Sequence, residues 1–303
     1  MMKRILGILC ALMMICAFAQ AETAAFQVTS PTGAPGVALA ILAVENPEAY
    51  HYVAADTIAA EFAAANADFL IAPVNAGAKL FKAGKSTYRL AAVVTWGNLY
   101  FATQRPDFQL EDLKDCTLTL FGESTINASI ALYALSAAGI EPKAVEYLAG
   151  AANTQTLLLT DPEAVVMTAE PALSAAKIKA ENISSWPVNE LYEKATGYNG
   201  FTQAGLFVSA AAAENRADDV KAFLLQAKEA VEKCTTDIPA VAEAAVQLEL
   251  LPNVKVAEQA IPGCAIRWTD AADAREQVEA TAQIDLSQFG GELPADAFYY
   301  AAE

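Results

Sequence analysis

Short apolar runs that stop at proline, glycine or polar residues alternate along the chain with segments of helical spacing. The clearest example starts with the run 69–72, which is too short for a helix and stops at Pro73. A helix-like segment at 75–84 follows, and then a second apolar run at 90–95. Strand, helix and strand within about 30 residues predict a βαβ unit and therefore a parallel sheet.

The same alternation restarts after Gln109. Predicted strands at 117–121, 144–148 and 164–168 alternate with helical segments, which predicts a second parallel sheet. A lone strand is predicted at 201–209. Helical spacing then dominates to the C-terminus, with Asp237, Asn253 and Asp270 as capping residues.

This pattern predicts an α/β protein with two lobes, in which the second lobe is inserted into the first. The predicted division assigns residues 22–103 and 207–303 to lobe 1 and residues 104–206 to lobe 2. Two crossing strands would form the hinge. In open parallel sheets, ligands bind beyond the carboxyl ends of the strands, so a small-molecule site is expected in the cleft between the lobes.

The candidate ligand-binding residues follow a predicted strand or lie on a crossing segment. They are Thr32, Gly33, Asn75, Trp96, Asn98, Ser124, Thr125, Glu170 and Gln203.

Each candidate also has a purely structural interpretation. Ser124 and Thr125 stand at a helix start, where hydroxyl and N–H groups can bind an anion, but Ser124 can equally be a helix cap. Asn75 has the same two interpretations. Trp96 is either a flat wall for a ring or part of the hinge core. Glu170 can accept from a ligand amine or place its charge at a helix N-terminus.

The loop residues Thr32 and Gly33 can contact a ligand or form a plain turn, and the same choice applies to Asn98. Gln203 is included because it lies on the returning strand.

The N-terminus predicts export. Lys3 and Arg4 precede an apolar run at 5–18 and an Ala-Gln-Ala site, which together are typical of a signal peptide at residues 1–21. The apolar run is shorter than the ~20 residues of a membrane span. Cys10 and Cys16 follow large residues, so no lipid anchor is expected, and a free periplasmic protein is predicted.

Charge argues against two classes of partner. The formal net charge is −17, and it becomes −19 without Lys3 and Arg4. Such an acidic surface repels nucleic acid and anionic lipid.

The sequence lacks the histidine and cysteine arrangements that are typical of hydrolytic or zinc enzymes. The only histidine is His51, and the mature cysteines Cys116, Cys234 and Cys264 show no metal-binding spacing. No enzyme activity, cofactor or metal is therefore expected. Export permits a Cys234–Cys264 disulfide, which is the predicted pairing.

The chain resembles the substrate-binding proteins of ABC importers, in particular the nitrate, sulfonate, taurine and bicarbonate class and its thiamine-pyrimidine-precursor relatives. The resemblance covers nearly the whole mature chain and lies in the order of five segments: ADFLIAP, YRLAAVVTWGNLYFAT, LEDLKDCTLTLFGEST, AVVMTAEPALS and FGGELPADAFYY. One departure is Asp115-Cys116, where the family generally has Gly-Lys.

The resemblance implies a type II periplasmic-binding-protein fold and a monomer that captures a small molecule for an ABC permease and its ATPase. A sulfonate-like oxyanion and a small planar heterocycle both remain possible ligands. The alternatives are an exported enzyme on the same bilobal scaffold and a ligand sensor for a membrane partner.

Overall fold

The strands of the structure belong to two sheets. The computed structural model describes residues 25–301, and the predicted signal peptide lies outside that range. The first sheet contains β1 (Val28–Pro31), β2 (Tyr50–Val53), β3 (Phe69–Pro73), β4 (Arg89–Thr95), β10 (Ala204–Val208) and β11 (Ile266–Asp270), in the spatial order β11-β4-β10-β3-β1-β2. The second sheet contains β5 (Leu99–Thr103), β6 (Thr117–Phe121), β7 (Ala144–Leu148), β8 (Val165–Ala169) and β9 (Ser184–Pro187), in the order β7-β6-β8-β5-β9.

Helices flank both sheets and connect their strands. They are α1 (Ala34–Val37), α2 (Ala40–Glu45), α3 (Ile58–Ala64), α4 (Val74–Lys82), α5 (Ile126–Ala137), α6 (Ala151–Thr160), α7 (Ala172–Lys179), α8 (Val188–Thr196), α9 (Ala210–Asn215), α10 (Ala217–Thr236), α11 (Ile238–Gln247), α12 (Val254–Ala260) and α13 (Ala271–Ile284). Within residues 25–301, every helix is too short or too polar to span a lipid bilayer.

The predicted βαβ unit is present as β3, α4 and β4, but its two strands are not neighbours. The strand β10 lies between them and runs antiparallel to both, so that Leu206 pairs with Ile71 on one side and with Ala92 on the other. All residues of β10 are buried, which suits a strand at the centre of a sheet. The predicted α/β fold with two sheets is confirmed, and the sheets are mixed rather than wholly parallel.

The chain changes sheets at residues 96–98 and returns before β10. The sequence assigned 99–103 to lobe 1, whereas these residues form β5, between β8 and β9 of the second sheet. On the return, Ala204 already pairs with Pro73 of the first sheet, before the expected boundary at 207. Residues 99–103 therefore belong to the second sheet, and 204–206 belong to the first.

The chain passes between the two sheets in two crossing segments, residues 96–98 on the way out and residues 197–203 on the return. Two glycines allow these segments to pack together. Gly97 and Gly200 have φ angles of 81° and 87°, in the left-handed region that favours glycine. A Cβ on Gly97 would lie 2.5 Å from Oδ1 of Asn189, and one on Gly200 would press on the carbonyl oxygen of Trp96. Asn189 Nδ2 donates to the carbonyl oxygens of Trp96 and Gly97 at 2.8 and 2.7 Å. Residues 96–98 are thus held against helix α8 and against the returning segment at 197–203.

Three elements were not predicted from the pattern: β9, α8 and β11. Both strands lie at sheet edges, where one side of a strand is left unpaired. The sequence of β9 is Ser-Ser-Trp-Pro and that of β11 is Ile-Arg-Trp-Thr-Asp, and neither is a continuous apolar run. Proline and polar residues are tolerated at such edges.

The predicted disulfide is not formed. Cys234 and Cys264 are both buried free thiols that belong to one apolar cluster. Burial raises the pKa of the Cys234 thiol to about 12, so both groups act as small apolar side chains here.

Candidate functional site

The candidate site is built from the connections that follow the parallel strands of the two sheets. In the first sheet β1, β2 and β3 are parallel, and in the second sheet β6, β7 and β8 are parallel. Surface depressions of about 260 to 550 Å³ are each lined by residues of one sheet and its helices. The site is therefore defined by strand ends and crossing segments.

The loop after β1 offers one exposed hydroxyl and a backbone turn. Thr32 is exposed, and its N–H donates to the carbonyl oxygen of Val53 at 3.0 Å. Gly33 has a φ of 95°, and its carbonyl oxygen accepts from Gly36 and Val37 at the start of α1. Thr32 is thus available to a ligand, while Gly33 also forms the turn that begins α1.

The backbone of Gln203 meets the start of α4, where Asn75 is the second residue of the helix. Helix α4 begins at Val74, so Asn75 is inside its first turn and does not cap it. The N–H of Val74 donates to the carbonyl oxygen of Gln203 at 3.0 Å, and the N–H of Gln203 donates to that of Thr95 at 3.1 Å. The side-chain Oε1 of Gln203 is buried without a hydrogen-bond partner among the described residues.

Trp96 is part of the hinge core. Its side chain is 0% exposed, and its Nε1 donates to the carbonyl oxygen of Arg267 at 3.2 Å. The Arg267 guanidinium lies 4.2 Å from the centre of the indole ring and donates to the carbonyl oxygen of Asn199. Burial lowers the pKa of Arg267. Of the two interpretations of Trp96, the structure favours the hinge core over an exposed wall for a ligand.

Asn98 joins the first crossing to the end of β8. Its Nδ2 donates to the carbonyl oxygen of Glu170 at 2.7 Å, and the N–H of Glu170 donates to the carbonyl oxygen of Asn98 at 3.0 Å. Because Nδ2 faces a carbonyl oxygen, the orientation of the amide is fixed. Its Oδ1 is an acceptor in a side chain only 5% exposed, with no donor among the described residues.

Glu170 is a buried carboxylate that caps helix α7. Its two oxygens accept from the N–H and the hydroxyl of Ser174, at 3.0 and 2.8 Å. Burial raises the pKa of Glu170, against the opposing effect of the Ser174 hydrogen bonds. A Cβ on Gly263 would lie 3.2 Å from the Glu170 carboxylate and 2.8 Å from the hydroxyl of Tyr100, so the turn at Gly263 touches both residues. The hydrogen bonds to Ser174 favour the helix interpretation of Glu170, and a ligand contact remains a proposal.

Thr125, rather than Ser124, caps helix α5. The Thr125 hydroxyl accepts from the N–H of Ala128 and donates to the carbonyl oxygen of Gly122. Ser124 is exposed and has a φ of 57°, and its carbonyl oxygen accepts from Nε2 of Gln288 at 2.9 Å. The Ser124 hydroxyl is therefore exposed at this loop, whereas the Thr125 hydroxyl takes part in the helix cap.

The C-terminal segment at 285–292 makes contacts with this region that the sequence did not predict. Asp285 accepts from the Ser129 hydroxyl of α5 at 2.9 Å. Lys82 donates to the carbonyl oxygen of Gly290 at 2.8 Å and pairs with Glu292 at 3.1 Å. The segment thus touches α4 of the first sheet and α5 of the second. The sequence gives no sign of these contacts, because the partners lie far apart along the chain. Ser129 and Asp285, for example, are 156 residues apart.

The only histidine of the sequence, His51, lies on an edge strand of the first sheet. His51 is exposed on β2, and its Nε2 lies 3.0 Å from Oε1 of Gln27. Within the described residues, no group of three or more His, Cys, Asp or Glu side chains is placed to hold a metal ion.

Comparisons with known proteins find similarity in structure but not in sequence. No protein-family model matches the chain, and a search of curated proteins found no match. An ABC transporter protein from Parabacteroides distasonis has a TM-score of 0.79 and 21% identity, over 92% of this chain and 99% of its own. The periplasmic aliphatic sulphonate binding protein SsuA of Escherichia coli has a TM-score of 0.70 and 14% identity, over 92% of each chain.

A third structure, the alkanesulfonate-binding protein SsuA from Xanthomonas axonopodis pv. citri bound to MOPS, has a TM-score of 0.67. It is 16% identical over 93% of this chain and all of its own. These identities are low, so the likeness shows the fold, which is that of periplasmic binding proteins. This fold agrees with the fold that the resemblance of the sequence implies.

Proposed function

We propose that this protein is an extracytoplasmic solute-binding protein, which captures a small molecule between its lobes and delivers it to an ABC permease and its ATPase. The observation that carries the proposal is the two-sheet backbone, which matches an ABC transporter protein over 92% of the chain at a TM-score of 0.79. The described neighbours from E. coli and Xanthomonas bind sulfonates by name, so a small organic ligand is the natural substrate class to test.

The proposed ligand contacts lie on the connections after β1, β3 and β6 and on the returning segment. They are Thr32, Gly33, Asn75, Ser124, Thr125 and Gln203, with Asn98 and Glu170 as the buried floor beneath them. Trp96 acts through the hinge, because it is fully buried beneath Arg267.

A ligand that touches both lobes favours the state in which they are closed, since it binds that state more tightly. We expect the mature protein to be a free periplasmic monomer, with its signal peptide cleaved after Ala21.

The proposal is tested by native mass spectrometry of the mature protein, followed by thermal unfolding with a panel of sulfonates, nitrate, bicarbonate, pyrimidines and amines. A ligand at 100 times its dissociation constant stabilises a protein by about 2.7 kcal/mol, which gives a clear shift in Tm. Asn75→Ala and Ser124→Ala should reduce that shift. Ser136→Ala, on the exposed end of α5, is the control and should leave it unchanged.

A protein that binds no member of the panel and carries no copurified small molecule would contradict the proposal. Turnover of a bound molecule would instead favour an enzyme.

A further inference from the structure

Arg267 lies on β11, at one edge of the first sheet, and contacts both segments that cross between the sheets. The centre of its guanidinium is 4.2 Å from the centre of the Trp96 indole ring, on the outgoing segment at 96–98. The same guanidinium donates to the carbonyl oxygen of Asn199, on the returning segment at 197–203. One side chain of the first sheet thus holds a residue of each crossing segment.

On the outgoing segment, the hydrogen-bond partners change sides within a single residue, Trp96. Its N–H donates to the carbonyl oxygen of Ala265 at 3.0 Å and its Nε1 to that of Arg267 at 3.2 Å, which ties it to β11. Its own carbonyl oxygen accepts from Nδ2 of Asn189 at 2.8 Å. Asn189 belongs to α8, which packs against β5 and β9 of the second sheet. Trp96 is therefore anchored to both halves of the molecule.

On the returning segment, the same change takes place between Gly197 and Asn199. The N–H of Gly197 donates to the carbonyl oxygen of Glu193 at 2.7 Å, so this residue still belongs to the end of α8. The carbonyl oxygen of Asn199, two residues later, is bound by Arg267 of β11. Gly197 has a φ of 80°, in the region that glycine adopts without strain. The change of partners thus spans only residues 197–199.

The chemistry of arginine suits a residue that holds two segments at once. A planar guanidinium can stack on an aromatic ring while its N–H groups donate to a carbonyl oxygen, whereas a lysine ammonium is a compact point charge. Burial lowers the pKa of Arg267, and the nearby Glu193 carboxylate on α8 opposes that effect. Because an arginine stays protonated in proteins, the contact does not depend on pH in the physiological range.

We propose that Arg267 is a positioning residue of the hinge, which holds Trp96 and Asn199 against β11 and so confines bending between the lobes to Trp96 and residues 197–199. This inference rests on the proposed solute-binding function and specifies how the two lobes move. Hinges are a few residues that absorb the change in φ and ψ, and the anchors on either side decide which residues these are. Without Arg267 the crossing segments bend over more residues, and the lobes take up a wider range of relative orientations.

The test measures the distance between the two sheets by double electron–electron resonance, on mature protein that native mass spectrometry shows to be free of small molecules. One spin label is attached to the native Cys116, which immediately precedes β6 of the second sheet. The other is attached through Leu225→Cys, a position 64% exposed on α10, which packs against β11 of the first sheet. Cys234 and Cys264 are buried and should remain unlabelled.

Two matched variants separate a role in the hinge from ordinary stacking. Arg267→Met removes the donors and the charge but leaves an unbranched side chain over the indole, and it should widen the distance distribution about two-fold. Arg216→Met removes a guanidinium that lies 3.7 Å from the centre of the Phe26 ring, just before β1, and should leave the width unchanged. Arg267→Lys keeps a cation without the planar fork, so an intermediate width is expected.

The outcomes separate the inference from the function. A wider distribution in Arg267→Met alone, with similar decreases of Tm in Arg267→Met and Arg216→Met, would support the hinge role. Unchanged width in Arg267→Met, or equal widening in Arg216→Met, would overturn it and show that Arg267 is only a packing contact. If Arg267→Met does not fold, Arg267→Lys and Arg216→Lys provide the same comparison. These distances involve no ligand, so the solute-binding function is contradicted only by the ligand panel described above.

Discussion

Asp285 accepts a hydrogen bond at 2.9 Å from the hydroxyl of Ser129, across the boundary between the two halves of the molecule. Ser129 lies on α5, which follows β6 of the second sheet, and Asp285 follows α13 at the C-terminal end of the chain. Gln288 adds a second bond to the carbonyl oxygen of Ser124. These two bonds tie the C-terminal segment to the edge of the candidate site.

Removing this tie should favour the open form. Ser129→Ala deletes one hydrogen bond of about 1 kcal/mol, so a bound ligand should dissociate about five-fold faster. Ser136→Ala is the matched control on the same helix, because its hydroxyl bonds only to the nearby Glu141. Stopped-flow release of ligand measures the effect, and equal rates for both variants would show that the tie does not restrain opening.

The buried carboxylate of Glu170 should make stability depend on pH. Since burial raises its pKa, the folded protein keeps this proton to a higher pH than the unfolded chain. The free energy of unfolding should therefore fall as pH rises from about 4.3, the ordinary value, through the raised pKa. Glu170→Gln should lack this decline. Urea unfolding of both proteins between pH 4 and 8 measures it, and parallel curves would contradict the prediction.

The hinge core should depend on Trp96 for stability rather than for ligand contact. Trp96→Ala should lower the free energy of unfolding by about 3–5 kcal/mol, the usual cost for a buried aromatic side chain. Trp268→Ala, at a half-buried position on β11, should cost less. Trp96→Phe keeps most of the apolar contact and should leave ligand affinity within about two-fold. A selective loss of affinity in Trp96→Phe, without loss of stability, would place the indole in the site.

Gly97 and Gly197 form a matched pair for testing the packing of the crossings. Their φ angles are 81° and 80°, but only Gly97 has atoms in the space that a Cβ would occupy. Gly197→Ala should cost about 1–2 kcal/mol of stability from backbone strain alone. Gly97→Ala adds the clash with Asn189 and Phe201, so it should cost about 1–3 kcal/mol more. Equal losses in thermal unfolding would mean that the crossing can relax.

The three mature cysteines should all be thiols. Alkylation of the denatured, unreduced protein should add three groups, on Cys116, Cys234 and Cys264. In the native protein Cys234 and Cys264 should react very slowly, because both are buried. The half-buried Cys116 serves as the internal reference. A denatured mass with only one added group would demonstrate the disulfide that the structure lacks.

Interactions between neighbouring residues determine many of the strands and helix caps, so the sequence predicted them. Thr117–Phe121 and Ala144–Leu148 are strands with the predicted bounds, and the side chains of Asp237 and Asn253 cap helices as expected. Asp270 precedes α13 as predicted, but its side chain does not cap the helix. These features depend on neighbouring residues, because a strand of four or five apolar residues and a helix cap are specified within one short segment. The α/β class and the two sheets followed from their alternation.

Tertiary contacts decided the rest. The sequence showed that 204–208 is apolar, but only pairing with Ile71 and Ala92 inserts that strand between β3 and β4. It placed Trp96 after a strand, whereas burial in the apolar core and the stacked guanidinium of the distant Arg267 make the indole part of the hinge core. The contact between Ser129 and Asp285 likewise has no local signature. Spacing along the chain reports which face of an element is apolar, whereas the partner that covers that face is chosen by packing between segments far apart in sequence.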